Sequence, residues 1–289
     1  MNVLKDFQTG ANRYAEQDGF TYGDNPEYKI NQRFLATILG LIAVLLPTIL
    51  AIAASVSDLC FYRSISHFYY ARFWGDVVVA AFAIIGTFLI AYRGQSRSEN
   101  RLATGAGLAA FGLALFPASG SGCLMSEFKG RMFADMQFDQ GALASIGLPD
   151  SLLAPFDMMP WSGVLHYLFA AILFGFLAWY SFFVFTRLST DYRKKHGETL
   201  TREKRIRNRI YIASGSTILV SAGMLLAQWG FPTVFEPGPA NWLLSHWTFI
   251  FECIALFAFG SAWLTKGRFA DRMLLDESEE KELRQRGAS

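Results

Sequence analysis

Six apolar stretches separated by polar connections run through the chain, at positions 34–56, 74–92, 102–116, 161–185, 210–229 and 242–264. A helix crosses a hydrocarbon layer of about 30 Å with about 20 mainly apolar residues. In lipid only helices and closed barrels satisfy their own backbone groups, and apolar runs of this length read as helices. The pattern therefore predicts an all-α fold, a polytopic transmembrane bundle of about six spans. The third stretch is the shortest, and Pro117 and Ala118 extend it toward the interface. The same pattern divides the chain into an N-terminal segment (1–33), a membrane domain (34–264) and a charged tail (265–289). The N-terminal segment carries Lys5, Asp6, Arg13 and Glu16 and has no short apolar core of its own. The first stretch is therefore expected to remain as a span and not to be removed as a signal peptide.

With 52% hydrophobic and only 17% charged residues, the chain is too apolar for a water-soluble domain of 289 residues. A formal net charge of +2 gives no reason to expect nucleic acid as a partner; membrane lipid is the expected one. What matters is where the basic residues sit: 22 of the 26 Lys and Arg fall in 1–33, 93–101, 186–209 and 265–289. Retained cytoplasmic segments are enriched in basic residues, so these four are assigned to the cytoplasm and both termini lie inside. The opposite side carries Arg63, Arg72, Lys129 and Arg131, and the connection 230–241 carries no basic residue. Trp74, Trp161, Trp229 and Trp242 fall at that outer boundary, as an interfacial aromatic belt would. The long outer connection 117–160 is a candidate lid on the membrane surface, since ordered loops of that length are usually functional.

A charge near the bilayer centre costs about 2.5–3.5 kcal/mol on insertion scales, so polar groups within the apolar stretches need a reason. Glu252 lies ten residues into the last stretch and shares a helix face with Ser245 and Thr248. Two readings are open for it: a hydrogen-bonded lock between helices, or a substrate or proton site. His67, His166 and His246 are expected at the outer ends of the spans, joined by Asp76. Three imidazoles and a carboxylate at one depth are the ligand types of a zinc site, in which Asp76 or Glu252 would act as acid or base. No HExxH, HxxxH or CxxC spacing occurs, and interfacial histidines that only form hydrogen bonds are commoner. Ser64, Ser66, Ser245 and Thr248 complete a candidate ligand pocket at the same face. Cys60 and Cys123 both fall in outer connections, where a disulfide between them and two unpaired thiols are equal alternatives.

The segments Ser64-Ile65-Ser66-His67-Phe68-Tyr69-Tyr70, Gly75-Asp76-Val77-Val78-Val79 and Ala91-Tyr92-Arg93-Gly94, together with 251–267, resemble a group of uncharacterised bacterial multi-pass membrane proteins. That resemblance implies a bacterial cytoplasmic (inner) membrane and brings no activity with it. The residue types Ser64 or Ser66, His67, Asp76, His166 and His246 are similar to those of membrane hydrolases of the alkaline ceramidase and adiponectin-receptor type, which combine Ser, Asp and three His around zinc. The paired His on that family's last helix is missing here, and six spans are expected in place of seven.

Three classes of function follow. The first is a membrane protein that binds a lipid or small ligand in an outer polar pocket, or serves as a subunit of a membrane complex or homo-oligomer. The second, which the hydrolase similarity implies, is a zinc-dependent hydrolase of lipid amides or esters; zinc is the one cofactor the residues suggest. The third is a transporter, for which Pro47 is the only mid-span proline and hence a thin sign of a broken helix.

Overall fold

The computed structural model describes residues 32–56, 61–92, 97–118, 120–124, 153–156, 161–186, 202–231 and 246–267. Six α-helices lie within them: α1 (Gln32–Val56), α2 (Arg72–Ala91), α3 (Arg97–Leu115), α4 (Ser162–Trp179), α5 (Arg202–Gly230) and α6 (Trp247–Gly267). α4 continues into a π turn, Tyr180–Val184. A 3-10 helix, Ser66–Tyr70, occupies the connection before α2. In the long connection, Gly120–Leu124 (β1) pairs antiparallel with Leu153–Phe156 (β2).

All the helices except α3 are long and apolar enough to cross a membrane. α3 opens with Arg97, Glu99 and Arg101 and continues mainly in Ala, Gly and Leu, so it has the length without the same apolarity. α5 begins at Arg202, about two turns before the predicted 210, because Lys and Arg favour helix and simply carry it beyond the apolar run. At 1.5 Å per residue its 29 residues extend about 43 Å. Large apolar side chains, among them Leu45, Ile52, Leu108, Leu168 and Val220, lie exposed on the outside of the bundle. A surface of this kind is one that lipid would cover.

The helices form a ring in which each packs on its chain neighbours and α6 returns to pack on α1. Neighbours run antiparallel. Gly86 of α2 lies beside Gly107 and Phe111 of α3, Gly112 of α3 beside Phe169 of α4, and Gly215 of α5 beside Phe182. The hydroxyl of Thr37 donates to the carbonyl of Gly267 at 3.4 Å, so the start of α1 and the end of α6 meet at one end of the ring.

Close backbone approach requires glycine at two of these contacts. A Cβ on Gly40 would lie 2.8 Å from the Leu264 nitrogen, and one on Gly260 would lie 2.9 Å from the Gly40 carbonyl oxygen. Between α2 and α3, a Cβ on Gly107 would lie 2.7 Å from the Gly86 carbonyl oxygen. Small residues at such contacts let backbones touch where lipid provides no hydrophobic drive for helices to associate.

Aromatic rings fill the ring's interior at the end where α1 starts and α6 ends. Trp263 is buried and lies 5.3 Å from Tyr92 and 5.2 Å from Phe185, stacked on Tyr180 at 6.5 Å. Polar contacts fix this plug at its edge. The Tyr180 hydroxyl donates to the Glu99 carbonyl oxygen at 2.7 Å. Lys204 donates to the Phe185 carbonyl oxygen, left open past the π turn, at 3.0 Å.

Gly107→Ala is expected to lower stability by about 1–3 kcal/mol, the usual cost of overpacking a tight contact. Gly105→Ala, whose added Cβ meets nothing within 4 Å, is expected to be neutral or to add up to about 1 kcal/mol through helix propensity. Thermal unfolding of both variants in detergent checks the order, and equal midpoints would show that α2 and α3 do not approach in this way.

Candidate functional site

The segment 61–70 is rich in aromatic residues, and its Tyr62, Ile65, Phe68 and Tyr70 are buried. It therefore folds into the ring at the end opposite the Thr37–Gly267 contact instead of passing over it. Phe61 packs edge-on against Phe249 at 5.0 Å and against His246 at 5.1 Å, both near the start of α6. The first turn of a helix leaves its N–H groups without intrahelical acceptors. Here the Phe249 N–H donates to the Arg63 carbonyl oxygen at 2.8 Å, and the His246 Nε2 lies 3.2 Å from the Phe61 carbonyl oxygen.

This docking brings Ser64 and Ile65 to the carboxyl group of Glu252. The Ser64 hydroxyl lies 2.8 and 2.9 Å from its two oxygens, and the Ile65 N–H donates to the second of them. The Ser66 N–H donates to the Ser64 Oγ at 3.1 Å, which tightens the turn. Glu252 lies in the second turn of α6, about 8 Å along the axis from Trp247, and the loop reaches into the ring to meet it. A carboxylate so placed is tolerable because donors surround it.

Ser66 stands between Glu252 and His166. Its Oγ lies 2.9 Å from Nε2 of His166, and Nδ1 of the same ring lies 2.9 Å from the Phe116 carbonyl oxygen. Phe116 follows the last residue of α3, so this is one of the carbonyls a helix end leaves open. A carbonyl oxygen only accepts, so Nδ1 carries the proton; a neutral ring then presents the Nε2 lone pair to the Ser66 hydroxyl. Ser64 and His166 are buried, whereas Ser66 is half-buried.

The chain matches no protein-family model, no curated protein and no solved structure.

Of the residues singled out from sequence, the structure brings Ser64, Ser66, His166 and Glu252 into one cluster. His246 holds the other end of the same loop at Phe61, and His67 sits half-buried in the 3-10 helix. Asp76 is exposed on α2. The zinc set expected from His67, His166 and His246 is not assembled: among the described residues no three His, Cys, Asp or Glu side chains are placed to hold a metal ion. The physical reason is that both His166 nitrogens already face protein partners and the His246 Nε2 faces a carbonyl. Thr248 turns to α5, where its hydroxyl donates to Gln228 Oε1 at 2.7 Å, and so ties two helices together. Ser245, Cys60 and nearly all of the loop 117–160 lie outside the described residues; Cys123 is described only as a β1 position, opposite Ala154. Cys253 is a free thiol, half-buried in α6.

Phe116 and Gln228 carry partner roles that no sequence signal announces: one offers only a backbone carbonyl, and the other is a single amide near a helix end. Glu252→Ala would strand the Ser64 and Ile65 donors, each unsatisfied buried group costing about 1–3 kcal/mol. The expected loss is about 2–5 kcal/mol, against about 1 kcal/mol for Thr248→Ala, which removes one neutral hydrogen bond. Urea unfolding of the two variants in detergent measures the difference, and a Glu252→Ala protein as stable as the parent would mean that the loop is not anchored here.

Proposed function

We propose that this is a bacterial inner-membrane protein of six spans, with both termini in the cytoplasm, that holds a lipid head group or a small polar ligand at the cluster on its outer face. Support for the sixth span comes from α3, which packs between α2 and α4 and exposes Leu102, Leu108 and Leu115. Those leucines extend over about 20 Å of helix, most of a hydrocarbon layer. An even number of crossings agrees with the meeting of α1 and α6 at Thr37 and Gly267. The basic residues of 186–209 and of the tail favour that end as the cytoplasmic one.

One observation carries the ligand reading. Four polar side chains from three separate parts of the chain meet at one end of the ring, and two of them, Ser66 and Glu252, keep exposed surface. Convergent polar groups in an apolar setting are how small-ligand sites are built, and a phospholipid head group is the polar molecule always present at that depth.

A reporter that is active only outside the cytoplasm, fused after Gly267, is expected to be silent; a strong signal would reverse the orientation. A photoreactive phospholipid, with its reactive group in the head group, is expected to cross-link to peptides covering 61–70 or the first turns of α4. Cross-links confined to the outward faces of the helices would remove the ligand reading.

A further inference from the structure

We infer that Ser66 and His166 form a nucleophile and base pair that acts on ester-linked acyl groups of membrane lipids. The inference rests on the reading of the cluster as a lipid-facing site and adds a covalent step to it. Nucleophilic serines are recognised by a hydroxyl within hydrogen-bond reach of a base that a third group orients. All three parts are present: the Ser66 Oγ is 2.9 Å from His166 Nε2, and His166 Nδ1 is 2.9 Å from the Phe116 carbonyl oxygen. The carbonyl fixes the tautomer that leaves Nε2 free to take a proton. Ser64 and Glu252 are positioning residues: the Ser64 Oγ accepts the Ser66 N–H at 3.1 Å and donates to the Glu252 carboxyl, holding the turn that presents Ser66. Ser66 is also only half-buried, as a group that meets substrate must be.

In the step, a lone pair of Ser66 Oγ attacks the acyl carbonyl carbon while the hydroxyl proton passes to His166 Nε2. Collapse of the tetrahedral adduct breaks the ester C–O bond, and the departing alcohol takes the proton from His166. Water then attacks the acyl-Ser66 ester, its proton passing through Nε2 back to Ser66 Oγ as the fatty acid leaves. The sum is ester plus water giving alcohol plus acid. A carbonyl oxygen stabilises the imidazolium less than a carboxylate would, so Ser66 is a slow nucleophile and an activated phosphonate is the suitable probe.

Full-length protein in detergent micelles is treated with a long-chain alkyl fluorophosphonate, which loses fluoride as Ser66 Oγ bonds to phosphorus, and the modified peptide is located by mass spectrometry. The expected adduct is on Ser66 and not on Ser64. His166→Gln is expected to slow its formation about 100-fold or more, the usual share of a general base. An unmodified Ser66 in the parent protein, or labelling that is equally fast in His166→Gln, would overturn the inference. Because the parent protein alone gives the first readout, misfolding of a variant does not blur it. A lipid cross-link at 61–70 without an adduct on Ser66 removes only the covalent step, whereas loss of both removes the ligand reading as well.

Discussion

α6 touches α1 backbone to backbone at Gly40 and Gly260, and the closed ring of helices exists because of that contact. With larger side chains there, the last helix would stand off from the first and leave a seam. Closure sets the size of the interior, and the interior in turn decides what can fill it. At the end where α1 starts and α6 ends, three aromatic side chains around Trp263 fill it with carbon. At the opposite end a piece of connecting chain is drawn in. Residues 61–70 supply aromatic bulk through Tyr62, Phe68 and Tyr70, and they bring backbone polar groups that must then find partners.

Those partners are helix ends and one carboxyl group. Helix starts offer unpaired N–H groups and helix ends offer unpaired carbonyls, and the loop and its neighbours use one of each, at Phe249 and at Phe116. Glu252 takes up the donors that remain at Ser64 and Ile65. The cluster is therefore a consequence of packing as much as of chemistry: a buried connection creates hydrogen-bonding demand, and the side chains that meet the demand stand in reacting geometry. Ser66 and His166 are set at 2.9 Å by the same forces that keep the loop in place.

The helices were legible from the chain because apolar runs of about 20 residues favour helix. All six predicted stretches correspond to helices, and the largest difference, the early start of α5, arises where Lys204, Arg205 and Arg207 continue the helix without apolarity. Glu252 was legible as a charge inside an apolar run, and Ser64, Ser66 and His166 as polar residues at one end. Their partnerships were not. Ser66 and His166 are 100 residues apart, and the group that orients the histidine is a main-chain oxygen, which every residue possesses. His166 turns to Ser66 and Phe116 while His246 turns to Phe61, and residue type with span boundaries does not give such directions. Asp76 illustrates the same limit: its place near the start of α2 was readable, while its exposed side depends on how α2 is turned in the ring.

The two ends of the interior differ in what it takes to open them. Drawing Trp263 and its neighbours apart would expose aromatic surface, at about 25 cal/mol for each Å² uncovered, with nothing returned. Exchanging the Glu252 contact at the other end trades hydrogen bonds for hydrogen bonds, since water or another oxygen can replace it at Ser64 and Ile65 for a net difference of about 1 kcal/mol each while Tyr62, Phe68 and Tyr70 stay packed. Hydrogen-bond partners at the mouth can therefore be exchanged at little cost, while the aromatic base has no such substitute.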